Sequence, residues 1–181
     1  WLIIQHPGPR GWVAKFHEWK PNITVDYHEM GQNSTYYFHP GAPNRTFPYI
    51  PDRSMELLDQ VSDRARSWLD SEQRLYFNEE NYDNYYIGKG STYPHMHASM
   101  GMLFEQASSE GFLDTPHGVL SFRDNIRTQY RTSLEMIRAG VEMREELLQY
   151  QRDFSSESFE LIDEDAIKGY VFSAPGDKAR A

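Results

Sequence analysis

"ITVDYHEMGQNSTYYF", Ile23 to Phe38, is the stretch on which the reading of the fold turns. Ile23, Thr24, Val25 and Tyr27 favour extended backbone, so Ile23–Glu29 is expected to form a buried strand. The strand ends on two ionisable groups, His28 and Glu29. Gly31 and a small polar cluster then let the chain turn before the aromatics Tyr36–Phe38. Ligands in open α/β sheets bind beyond the carboxyl ends of strands. A strand that stops on an imidazole therefore marks the edge of a candidate site.

Upstream, "RGWVAKFHEWK" carries Trp12, Val13, Phe16 and Trp19 at helical spacing, and Pro21 stops it. Gln32 to Pro51 is rich in Pro, Gly, Asn and aromatics and reads as a long loop, a type that is usually functional or mobile. "SMELLDQVSDRARSWLD" reads as a helix capped by Ser54, with Leu57, Leu58, Val61, Ala65, Trp68 and Leu69 as its apolar stripe. A tyrosine-dense irregular segment, "NEENYDNYYIGKGSTYPHMH", leads into "ASMGMLFEQA", a short apolar strand ending on Glu105. Then "SFRDNIRTQYRTSLEMIRAGVEMREELLQYQRDF" reads as one long amphipathic helix. Its expected inward residues are Ile126, Tyr130, Leu134, Ile137, Val141 and Leu148, with Gly140 as a bend point. This order of elements is α/β, a partial mixed sheet flanked by helices.

Composition narrows the function classes. A chain of 181 residues is long enough for one domain with a real core, and 39% hydrophobic content makes it globular rather than disordered. A net charge of −9 argues against nucleic acid or an anionic membrane as main partner. No apolar run approaches the about 18 residues of a spanning helix. The absence of Cys removes disulfides, thiolate metal ligands and a Cys nucleophile together, without fixing the compartment. Asn22, Asn33 and Asn44 each open an Asn-x-Ser/Thr triplet, a pattern common enough to arise by chance. The chain opens on Trp1, with no Met, and closes on "KGYVFSAPGDKARA", a strand-like run and a Pro-Gly turn. The expectation is an interior piece of a longer protein, with the acidic "SSESFELIDEDA" as a linker to a following domain.

Two strands end on ionisable groups, the first on His28 and Glu29, the second on Glu105, so a His and a Glu are candidates for one cleft. Each also has a plain structural reading: His28 as a hydrogen-bonded strand-end histidine, Glu105 as a strand-end carboxylate facing water. A helical His-Glu-x-x-His zinc motif fails, because Gln32 stands where the second His belongs. "GKGS" (Gly88–Ser91) lacks the spacing and following helix of a phosphate loop, and no Gly-x-Ser-x-Gly elbow occurs. His95 and His97, two apart, would share a face on a strand and could chelate a metal; an ordinary structural pair fits them as well.

Taken in order, "VDYHEMGQNSTYYF", "YYIGKGSTYP" and "GMLFEQA" resemble the zinc carboxypeptidase family, in particular its bacterial branch. The resemblance covers about residues 1–154 and implies the C-terminal part of a carboxypeptidase-like catalytic domain. Residues 155–181 would be the linker and the start of a following domain. It implies a hydrolase, a metallopeptidase acting in proteolysis near a peptide C-terminus by metal-activated water. It implies His28 as a zinc ligand, Glu105 as general base, and Tyr86, with Tyr85 as rival, as a substrate-binding residue on a mobile loop. Such relatives are periplasmic or secreted and act on peptides or peptide-like substrates. The family's other two zinc ligands form a His-x-x-Glu motif, and none of the seven histidines here is followed by an acid three residues on. Those ligands, and an Asn-Arg pair for the substrate carboxylate, are expected upstream of Trp1. The chain alone is then expected to be inactive, and a half-domain of this kind to expose core surface and self-associate. The alternative is a non-catalytic peptidase-like scaffold that binds peptides or cell-wall fragments.

Overall fold

The computed structural model describes residues 4–171. Its elements are α1 (Pro7–Trp19), β1 (Ile23–Met30), β2 (Tyr36–Phe38), α2 (Asp52–Ser71), β3 (Met100–Ala107), β4 (Phe112–Thr115), β5 (Gly118–Ser121), α3 (Phe122–Glu142) and α4 (Arg144–Glu164). Short 3-10 turns lie at Pro43–Arg45 and Tyr93–His97. The architecture is a small mixed α/β arrangement. Among the described residues, no helix is long and apolar enough to cross a membrane.

The three-stranded sheet has the order β1-β3-β2. β1 runs parallel to β3 with Ile23 beside Met100 and Met30 beside Ala107. β2 runs antiparallel to β3, pairing Tyr37 with Glu105 and Phe38 with Phe104. Side chains alternate across a strand, so each sends one set to either face. Met100, Met102 and Phe104, with Tyr36 and Phe38, go into the core against the helices, flanked by Ile23, Val25 and Tyr27. Phe104 stacks between Tyr27, at 4.9 Å between centroids, and Phe38, at 5.5 Å. β1 is therefore an outer strand of intermediate burial rather than a buried one.

α2 packs as its pattern requires: Leu57, Leu58, Val61, Ala65, Trp68 and Leu69 are all buried. Ser54 is not its cap. The helix starts after Pro51, and the buried Ser54 hydroxyl instead meets His95 Nδ1 at 2.7 Å.

α3 departs from expectation. Ile126, Tyr130, Ile137 and Val141 are exposed, as is Leu148 on α4, and Leu134 is only partly covered. The buried stripe is Asn125, Thr128, Thr132, Glu135, Met136 and Ala139. The sheet presents the buried Tyr36 hydroxyl to this helix, and a buried hydroxyl needs a partner. Tyr36 donates to Gln129 Oε1 at 2.8 Å and meets Thr132 Oγ1 at 2.9 Å. Both stripes have helical period, and the polar one matches the surface it meets. The long helix also divides, at Met143 and not at Gly140, which lies inside α3 near Ile23.

On α1 only Val13 and Phe16 are buried; Trp12 and Trp19 face outward. Lys20, at φ 47°, closes the helix through its N–H to the Phe16 carbonyl, at 2.8 Å. The segment expected as a linker continues α4 to Glu164, and Asp165–Val171 follow without regular structure. Trp1 and the Pro175–Gly176 turn lie outside the described residues. The β4–β5 hairpin carried no alternation strong enough to be read from sequence. Gly118, at φ +103°, turns it, and Ser121 then caps α3 by accepting the N–H of Asp124 at 3.1 Å.

Candidate functional site

The face of the sheet away from α2 and α3 carries the candidate residues. His28 on β1 is the register partner of Glu105 on β3, and Glu105 is the register partner of Tyr37 on β2. Register partners on neighbouring strands point to the same face. His28, Glu105 and Tyr37 therefore form one row across all three strands. Exposure falls along it: His28 is exposed, Glu105 partly buried, Tyr37 fully buried.

His28 Nε2 lies 2.9 Å from Asp26 Oδ1. The two are two residues apart on a strand and so share a face. With the Nε2 proton donated to that carboxylate, Nδ1 carries the lone pair, the arrangement in which a histidine acts as a metal ligand. Asp26 was visible in the sequence as the residue two before His28; only its contact was not.

Burial raises the Glu105 carboxyl above the usual carboxylate range. The neighbouring imidazole of His28 lowers it, and the Asp26 carboxylate raises it again. The wall that removes water is not Phe104, which turns to the opposite face and into the core. It is the tyrosine pair Tyr37 and Tyr82, stacked at 4.2 Å between centroids and 26° between planes. Burial pushes both phenols up, and the charge of Glu105 pushes them further. These two residues were missed in the sequence, because their proximity to Glu105 depends on strand register and on the fold of residues 76–93.

Tyr85 and Tyr86 stand exposed on the rim of that same loop. Burial alone would raise the Asp83 carboxyl, but Lys89 and the Tyr85 N–H, which donates to it at 3.0 Å, hold it below its usual value. Asp83 is paired with Lys89 and anchors the turn on which both tyrosines sit. The Tyr86 ring lies against Gly88, where a Cβ would come within 2.5 Å of it.

His95 and His97 do not lie on a strand, where they would share a face. They sit on a 3-10 turn and engage different elements. His95 is buried, meets Ser54 through Nδ1 and lies 3.1 Å from the Gly101 carbonyl through Nε2; burial pushes it down to about 4. His97 lies against α1. A further buried histidine, His39, accepts the Leu103 N–H through Nδ1 at 2.8 Å and is pushed down to about 3, chiefly by burial. Among the described residues, no group of three or more His, Cys, Asp or Glu side chains is placed to hold a metal ion. A zinc ligand set is therefore not complete within the described residues.

An apolar concavity of about 450 Å³ lies elsewhere. It is on the helix side of β1, lined by Ile23, Val25, Tyr27, Met136, Ile137 and Leu147. No family model, curated protein or solved structure matches this chain.

Proposed function

We propose that the chain is part of a zinc-dependent, carboxypeptidase-like hydrolase, and that its own contribution is the base and one ligand. The observation that carries this reading is the register pairing of His28 with Glu105, with Asp26 behind the imidazole and a tyrosine wall beside the carboxyl. Glu105 is the general base: its raised pKa favours proton uptake from a water on the His28 side and later release to a leaving amine. Asp26 fixes the His28 tautomer and turns Nδ1 outward. Tyr37 and Tyr82 exclude solvent from one flank of Glu105, and Tyr86 or Tyr85 would bind substrate from the loop rim. A zinc held by His28 together with a His-x-x-Glu pair from outside these residues would supply Lewis acidity and lower the pKa of bound water.

The test uses a polypeptide that joins this sequence to such a pair. Glu105→Gln should retain the metal and reduce turnover by about 10²-fold or more. His28→Ala should lose the metal. Parental turnover in Glu105→Gln would overturn the base assignment.

A peptide-binding scaffold without turnover is the second reading, favoured by the incomplete ligand set among the described residues. It predicts that a longer polypeptide binds peptide and shows no chelator-sensitive cleavage.

A further inference from the structure

Helix α1 is fastened by a cluster of rings, two of which titrate. Phe16, one of its two buried residues, packs edge-on against Tyr93, at 5.8 Å between centroids, and against His97, at 5.7 Å. His17, the next residue, meets the Tyr93 hydroxyl through Nε2 at 2.7 Å. The rings of His17 and His97 are 4.8 Å apart at 87°, and Tyr93 and His97 are 4.7 Å apart. Beyond the helix, Gln151 of α4 donates to the Lys20 carbonyl at 3.0 Å. Among the described residues α1 buries only Val13 and Phe16, so the ring cluster around Phe16 is a principal part of its attachment.

We infer that the His17–Tyr93–His97 cluster is a pH-sensitive latch that holds α1 when both imidazoles are neutral and releases it when both are protonated. Edge-to-face contact suits neutral rings. Two imidazolium ions at this separation repel, and His17, once doubly protonated, can only donate to Tyr93.

The charged groups on the packed elements do not offset this. On α1, Glu18 is paired with Lys15 at 2.6 Å, and Lys20 adds positive charge. On the 3-10 turn, His95 is buried and neutral. α4 meets the end of α1 with an amide, that of Gln151. His97 is held below its usual value by burial first and by His17 second, with no carboxylate contribution. A depressed imidazole pKa means that the docked state binds fewer protons than the released one. The docking it supports is complete above the unperturbed value and is lost as pH falls through the lowered one. Release uncovers Tyr93 and the turn that joins the Tyr85–Tyr86 loop to β3, so acid would act at the base of the proposed substrate loop.

Hydrogen exchange on the intact chain at pH 7.5 and 5.5, corrected for intrinsic rates, tests this with α2 as internal reference. Protection of α1 should fall roughly fivefold more than that of α2. The excess should vanish in the double variant His17→Gln, His97→Gln, which keeps a polar side chain at each position. An α1 that tracks α2, or an excess that survives in the double variant, overturns the latch. Ring-proton titration gives an independent reading: coupled curves for His17 and His97 support it, and two independent curves of ordinary pKa refute it.

Discussion

The two faces of the sheet are built from the same three strands and obey different rules. On the helix face every position from Met100 to Phe104 meets an apolar partner, and Phe104 is enclosed by two rings. On the loop face the same strands set His28, Glu105 and Tyr37 in a row beneath tyrosines. The first face provides stability by excluding water uniformly. The second keeps one carboxyl partly wet, one imidazole open and one phenol dry. The titratable groups of this sheet are thus set on the face opposite its main apolar cluster.

The contrast breaks most heavily on the core side. Phe104→Ala should cost about 3–5 kcal/mol, read by urea unfolding, because it empties a fully buried site between two stacked rings. Glu105→Gln, one residue along, should leave the urea midpoint nearly unchanged.

Acid comes next and attacks the loop face. His39 and His95 are buried neutral, with values of about 3 and about 4 against an ordinary 6.5. The unfolded chain therefore binds more protons in this window. Stability is full above about pH 6.5 and falls by roughly 1.4 kcal/mol per pH unit for each histidine as pH drops. Urea midpoints at pH 7, 6 and 5 measure the slope; His95→Gln should roughly halve it, His39 supplying the rest. A flat profile in the parent would mean that these imidazoles gain water or partners as they charge.

A smaller effect separates orientation from ligation. Asp26→Asn should weaken metal retention about 10- to 100-fold in the metal-loaded polypeptide, with the fold unchanged. The smallest sharpens the core boundary. Ile137→Ser on the exposed stripe should shift stability by less than about 0.5 kcal/mol, whereas Met136→Ser beside it should be clearly destabilising.

α2 was legible because its apolar stripe is the stripe that packs. α3 was not, because it holds two stripes of equal period, and the deciding factor was the Tyr36 hydroxyl on a distant strand. The strand carrying His28 and the one carrying Glu105 could be read from β-favouring runs, and their pairing followed once both lay in one sheet. Asp26 was within reach of a period-two argument. Tyr37 and Tyr82 were not, since their neighbourhood with Glu105 is created by β2, a three-residue strand inside what read as a loop. Ser54 looked like a cap because it precedes an apolar run; Pro51 had already set the start of the helix.

Among the described residues, β1 pairs with one strand only, β3. Asn22 and Met30 give their carbonyls to Met100 and Ser108, so by alternation the amides of Ile23, Val25, Tyr27 and Glu29 point the other way. The imidazole at position 28 thus rides on a beam clamped along a single rail. Besides that clamp only side chains restrain it among the described residues, Asp26 at the ring and Gln129, which donates to the His28 carbonyl at 3.2 Å, and a strand laid along the other edge would steady the backbone without touching the ring.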